Sequence, residues 1–351
     1  MIDWVLAERI ARYVASAGGS PASPPETDLS RLAAEAERRV VAYTGLAPQR
    51  PLPPPEGVDR REWARTNVEA MRRLMEPVLE SAGDGLTALR PAVQLAVGVV
   101  VTIEVGVLLG YLSQRVLGQY ELVLLDETHE HPPRLLFVMP NLGAAVRSLQ
   151  SPGDEFMTWV ALHEVTHAVQ FAAVPWLQSH LGGLVRELLR SAELRIETPR
   201  RLRVPAAAEI KRVAAAVRQG DLIAVFTNAS ERDTLDRVQA TMAVIEGHAE
   251  HVMDAVAPDL LPSLPRLRSA LDRRRRSQTG LSRLLAKLLG LDLKLRQYEQ
   301  GKFFCDAIVR DAGPDALHHV FSKPEALPTL AELRRPADWL VRVGLATQLA
   351  R

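Results

Sequence analysis

The segment DEFMTWVALHEVTHAVQFAA, residues 154–173, constrains this chain more than any other. Phe156, Trp159, Val160, Leu162 and Val169 recur at helical spacing. The apolar surface continues round the turns that carry His163 and His167. A helix apolar on every side belongs inside a fold. Two histidines and a glutamate at its centre then need partners, because buried polar groups are costly unless bonded, and a metal ion is one such partner.

The rest of the chain can supply that interior. It has 351 residues, 47% of them hydrophobic and 24% charged, the balance of a packed globule long enough to bury a core without staples. Disorder, a collagen-like fibre and a disulfide scaffold are excluded. The single cysteine, Cys305, cannot form an internal disulfide or a thiolate zinc cluster and reads as a buried core thiol. Lys+Arg total 43 against 42 Asp+Glu, and aromatics make up 5%. That is not the footprint of a nucleic-acid binder, nor of a stacking platform for single strands. Met1-Ile2-Asp3-Trp4 lacks the basic start of a secretory leader, so the expected location is cytoplasmic. Pro91–Leu112 is about long enough to span a bilayer. Gln94, Thr102 and Glu104 interrupt it, however, and a carboxylate at mid-bilayer is costly. It reads as a buried central helix, and a membrane is not an expected partner.

Helices are expected over 3–17, 29–44, 60–81, 86–116, 154–173, 176–192, 206–218, 231–255, 263–275, 281–311 and 329–349. Leu46–Val58 holds Pro48, Pro51, Pro53, Pro54 and Pro55. It reads as an ordered loop, because proline forbids helix and stiffens the chain. Tyr120–Leu125 and Arg134–Met139 are short β-compatible runs, expected as a hairpin or two adjacent strands. The fold class is therefore mainly α, an α+β chain with a small sheet. Residues 1–118 form an N-terminal helical lobe and 119–351 a metal-binding lobe, the two being open to reading as one continuous domain. Arg273–Arg276 reads as a solvated helix end, and His318-His319 as structural.

Chemistry concentrates in His163-Glu164-Val165-Thr166-His167. Histidines at i and i+4 stand one above the other on a helix, so both imidazoles can reach one zinc ion. Glu164 lies about 100° round the helix, beside the metal, where it can take a proton from water. A third ligand is expected downstream, in Glu246-Gly247-His248-Ala249-Glu250-His251. On a helical wheel Leu235, Val238, Met242, Ile245, Ala249, Val252 and Met253 form one broad stripe, with Glu246 inside it and Glu250 at its edge. His248 and His251 point away from it. A carboxylate facing a core must be paired or metal-bound, which selects Glu246. Glu250, one turn on, can orient His163 or His167 through the second ring nitrogen. Glu250 as the ligand, or His248, His251 or Asp254, remain open alternatives.

HExxH with a glutamate opening a later EGxAE segment resembles the gluzincin arrangement of zinc metallopeptidases. Carried over, the resemblance implies His163, His167 and Glu246 as zinc ligands, Glu164 as general base and Glu250 as the acidic support. DWVLAERIARYVA, GYLSQRVLGQYELVLL, HEVTHAVQF, EGHAEHVMD, LDLKLRQYEQGKFF and LPTLAELRRPADWL are also similar to a bacterial, mostly actinobacterial family of zincin-like proteins. Its members carry the labels hydrolase, zinc-dependent metalloprotease or deazaflavin-coenzyme-biosynthesis associated. The family implies zinc and hydrolysis and gives no substrate. Glu246 lies 79 residues after His167, whereas compact gluzincins use a much shorter gap, so an inserted helical segment is expected over the cleft. An oxyanion donor is needed as well. Tyr298 is the candidate, with Arg296 and His251 behind it.

Two function classes follow. One is a zinc-dependent hydrolase, a peptidase acting on a peptide or protein, with Arg134–Met139 as the edge strand that aligns it. The other is a catalytically silent zinc-holding scaffold with a closed site.

Overall fold

Asp3 accepts a hydrogen bond from the Leu6 amide at 2.9 Å and so starts the first helix, α1 (Trp4–Ser16). Asp28 does the same for α2 (Leu29–Thr44), which ends at Gly45 in the left-handed conformation. The computed structural model describes residues 2–17, 27–81, 91–121, 132–149, 152–197, 229–267, 269 and 291–345. The expected helix over 206–218 and the Arg273–Arg276 run lie outside them, as do parts of those over 86–116, 263–275, 281–311 and 329–349 and most of the strand expected over 120–125.

After α2 come β1 (Pro55–Val58), α3 (Arg60–Ser81), α4 (Pro91–Ser113), β2 (Gly118–Glu121), β3 (Arg134–Val138), α5 (Met139–Leu149), α6 (Gly153–Ala173) and α7 (Pro175–Glu197). Then follow α8 (Ala229–Val256), a 3-10 turn Ala257–Asp259, α9 (Leu291–Ala312), α10 (Pro314–His318), α11 (Leu330–Arg334) and α12 (Pro336–Arg342). The chain is thus mainly helical with a small sheet. It divides into two compact units, Met1–Gln178 with Val252–Leu271, and Ser179–His251 with Asp272–Arg351.

In the first unit the sheet runs β1-β3-β2, parallel on one side of β3 and antiparallel on the other. This corrects two expectations. The proline-rich stretch is not all loop, since its last residues form β1. Pro55 is tolerated there because it opens a strand at the sheet's edge. Nor is Arg134–Met139 an edge, since β3 lies in the middle. Its unbroken apolar run has the reason usual for a central strand. Leu135 and Phe137 enter one core, with α2, α6 and the last turn of α8, while Leu136 and Val138 enter another, with α1, α3 and α4. Arg134 clasps Glu56 at 3.0 and 2.5 Å and so ties β3 to β1.

α4 meets α1 at Gly106 and Gly110. A Cβ at either would come within 2.7 Å of the Ala7 or 2.6 Å of the Ala11 carbonyl oxygen. Thr102 accepts the Asp3 amide at 2.9 Å. The helix is not buried all round, as the sequence suggested. Leu95, Val99, Val100, Ile103, Glu104 and Val107 are exposed. No helix is long and apolar enough to cross a membrane among the described residues.

In the second unit α9 packs against α10, α11 and α12. Phe304 meets Trp339 edge-on at 5.4 Å, and the Trp339 indole donates to the Ala326 carbonyl at 2.7 Å. The single helix expected over 329–349 breaks at Arg335, because the residue before Pro336 is driven out of helical conformation. Cys305 is fully buried, which pushes its thiol up and leaves it inert.

A capping box starts α11. Thr329 and Glu332 bond reciprocally, and Arg342 grips Glu332 at 2.6 and 3.0 Å. Burial alone would raise the Glu332 carboxyl, but Arg342 and Thr329 outweigh it and hold it below its ordinary range. The folded chain therefore binds this proton less readily than the unfolded one. The stability it contributes is full above the ordinary carboxylate range and drains away as pH falls through the depressed value. Glu332→Gln is expected to cost about 1 kcal/mol at neutral pH. The deficit should vanish in strong acid, as urea midpoints at the two pH values will show.

Candidate metal centre

α6 is anchored before it does anything else. Asp154 and Glu155 occupy its first turn, where carboxylates favour the helix dipole. Glu155 also accepts from the Ser263 amide and hydroxyl. From Phe156 to Ala172 nearly every residue is buried, as the apolar pattern predicts.

His163 and His167 stand one turn apart on this helix, their Nε2 atoms 3.3 Å from each other. Two ring nitrogens this close cannot both carry a proton comfortably, whereas two lone pairs converging on one cation can. One ligand atom each from His163, His167 and Glu246 lies within 4.8 Å of the others. Among the described residues this is the one such group. Two imidazoles and a carboxylate are a donor set that suits zinc.

Glu164 is 8% exposed, and its environment comes from β2. The Tyr120 amide donates to Glu164 Oε2 at 3.1 Å. Gly118 lies so close that a Cβ there would sit 2.6 Å from Glu164 Cγ, so any larger residue would have to displace the Glu164 side chain. Tyr120 stacks on Phe171 of α6 with ring centres 5.9 Å apart, fixing β2 along the helix. The strand beside the candidate base is therefore β2, an edge strand among the described residues, where the sequence had suggested Arg134–Met139.

The later segment behaves differently from the wheel's expectation. α8 is buried on most of its circumference from Ala240 to Met253. Val252, Met253 and Val256 join the first unit's core. His248 and His251, expected to point away from the apolar stripe, are 2% and 7% exposed. His248 meets the Phe321 ring edge-on, and His251 Nδ1 bonds Asp306 Oδ1 of α9 at 2.7 Å. Burial would raise the Asp306 carboxyl, but His251 and Lys302 hold it below its ordinary range. The wheel misses this because a second helix covers that side. α8 and α9 touch backbone to backbone at Gly247 and Gly301.

His251 lies about 140° round the helix from Glu246, and its Nδ1 is engaged by Asp306 of α9. Glu250 is half-buried one turn after Glu246. Tyr298 and Arg296 fall on α9, but their side chains lie outside the described residues. Gln170 was not anticipated. It is fully buried, and its Oε1 lies 3.0 Å from His167 Nδ1. An amide three residues after a histidine on an all-apolar helix was the available signal. Asp306 had none, being 55 residues from His251.

The geometry agrees with what the chain is similar to. Over 98% of its length it resembles a solved structure from Chloroflexus aurantiacus described as a candidate hydrolase with a novel fold, covering 99% of that chain at 31% identity and a TM-score of 0.68. A comparison with curated proteins finds no match. The model of the zincin-like metallopeptidases matches residues 2–340, and a match over nearly the whole chain makes this protein a member of that family.

Proposed function

We propose that the protein is a zinc-dependent hydrolase acting on peptides, with His163, His167 and Glu246 as metal ligands and Glu164 as general base. The observation that carries this reading is the approach of the two Nε2 atoms and the Glu246 carboxylate, with a buried glutamate between the histidines in sequence. Zinc held there would supply Lewis acidity toward a carbonyl and ease the ionisation of water. Glu164 takes the water proton and returns it to the departing amine. β2 lies along the same helix, and its outer edge is the place where an extended peptide would add as a strand. Tyr298 remains the candidate oxyanion donor. His251, tied to Asp306 through Nδ1, and Glu250 are kept as neighbours that orient the ligands.

A second reading is a zinc-holding scaffold without turnover. It is favoured by the near-complete burial of Glu164 and by the Tyr120 amide already bonded to it.

Elemental analysis of wild type and Glu246→Ala tests the common core of both. One zinc per wild-type chain and loss of most of it in the variant is the expected result. Full metal content in the variant would remove Glu246 from the site. A wild-type chain that takes up none would end both readings.

A further inference from the structure

A histidine binds a metal through one ring nitrogen, and the proton on the other is placed by whatever that nitrogen meets. At His167 the partner is on the same helix. Gln170 Oε1 lies 3.0 Å from Nδ1, and the amide is fully buried while the imidazole is 8% exposed. A carbonyl oxygen can only accept, so Nδ1 carries the proton and Nε2 keeps its lone pair. That lone pair is the one lying 3.3 Å from His163 Nε2. The i to i+3 spacing on a helix packed on all sides leaves Gln170 little freedom to turn away.

Gln170 also differs in charge from the carboxylate that often stands behind a ligating histidine. A neutral acceptor sets the tautomer without adding a negative charge beside Glu164 and Glu246.

We propose that Gln170 is a positioning residue for the metal centre. It holds His167 in the Nδ1–H tautomer and thereby sets the affinity for zinc. The proposal rests on the metal reading above, and its test separates the two. Zinc affinity is measured by competition with a chromophoric chelator for wild type, Gln170→Met and Gln170→Glu. Methionine keeps the length and removes the acceptor, whereas glutamate keeps the acceptor.

The expected result is zinc binding about 10–100-fold weaker in Gln170→Met, and at least wild-type strength in Gln170→Glu. A purely structural role would lower the melting temperature of the metal-free variant and leave its zinc affinity unchanged. Equal affinities within twofold, with wild type binding one zinc, overturn the inference and spare the metal centre. Zinc uptake by no form overturns both.

Should Gln170→Met fail to fold, wild type alone decides. Long-range 1H–15N spectra of the metal-free protein are expected to show His167 protonated at Nδ1. A proton on Nε2 overturns the proposal.

Discussion

Glu164→Gln is expected to lower hydrolysis of any substrate found for this protein by about 10²–10⁴-fold while leaving its zinc content at the wild-type level. The reasoning is local. Glutamine has the same shape, can still accept the Tyr120 amide now bonded to Oε2, and keeps the close fit against Gly118. What it lacks is a basic oxygen. Turnover of a peptide library, scored beside metal analysis of the same samples, checks this. A variant within tenfold of wild type would remove Glu164 as the base. The silent-scaffold reading makes a different forecast: no peptide is turned over by either form, although both hold zinc.

The second large effect is expected at Gly301. A Cβ there would lie 1.8 Å from the Ala243 carbonyl oxygen, and one at Gly247 would lie 2.1 Å from the Gly301 carbonyl carbon. These contacts are with backbone, so no side chain can rotate out of the way, and α8 and α9 must separate. Overpacking of this kind costs about 1–3 kcal/mol and at times more. Gly301→Ala is expected at or beyond the top of that range, read as a lowered melting temperature. Zinc affinity should fall too, because Glu246 adjoins Gly247 on α8. Gly183→Ala on α7 is the control. Among the described residues nothing lies within 4 Å of its would-be Cβ, and replacing a mid-helix glycine there should leave stability unchanged or raise it by up to about 1 kcal/mol. Equal losses in the two variants would mean that the α8–α9 crossing is not the cause.

Much of the local structure was legible. α1, α2, α3, α6 and α8 lie within a few residues of their periodicity-based ranges. Helix periodicity is written in neighbouring residues and acts over one turn. His163 and His167 could be paired because a helix fixes the i to i+4 distance by itself. Glu246 could be singled out because a core-facing carboxylate needs a partner.

The misreadings share one physical origin. β1 escaped notice because its strand character comes from pairing with β3, 78 residues away at Arg134–Glu56. β3 looked like an edge because nothing local says that a second strand covers its other side. The outer face of α4 was expected inside the core, yet a uniformly apolar helix does not announce which face its neighbours take.

By itself, then, the sequence determined most of the described helices, the histidine pair with its intervening glutamate, and the carboxylate that must not stand alone. Each follows from interactions between residues close along the chain. Tertiary structure alone decided that β2 is the strand set against Glu164, that Gln170 meets His167 Nδ1, and that His251 Nδ1 meets Asp306. Those depend on which distant backbones approach and how closely, and two glycines and a buried amide settle that only once the chain has packed.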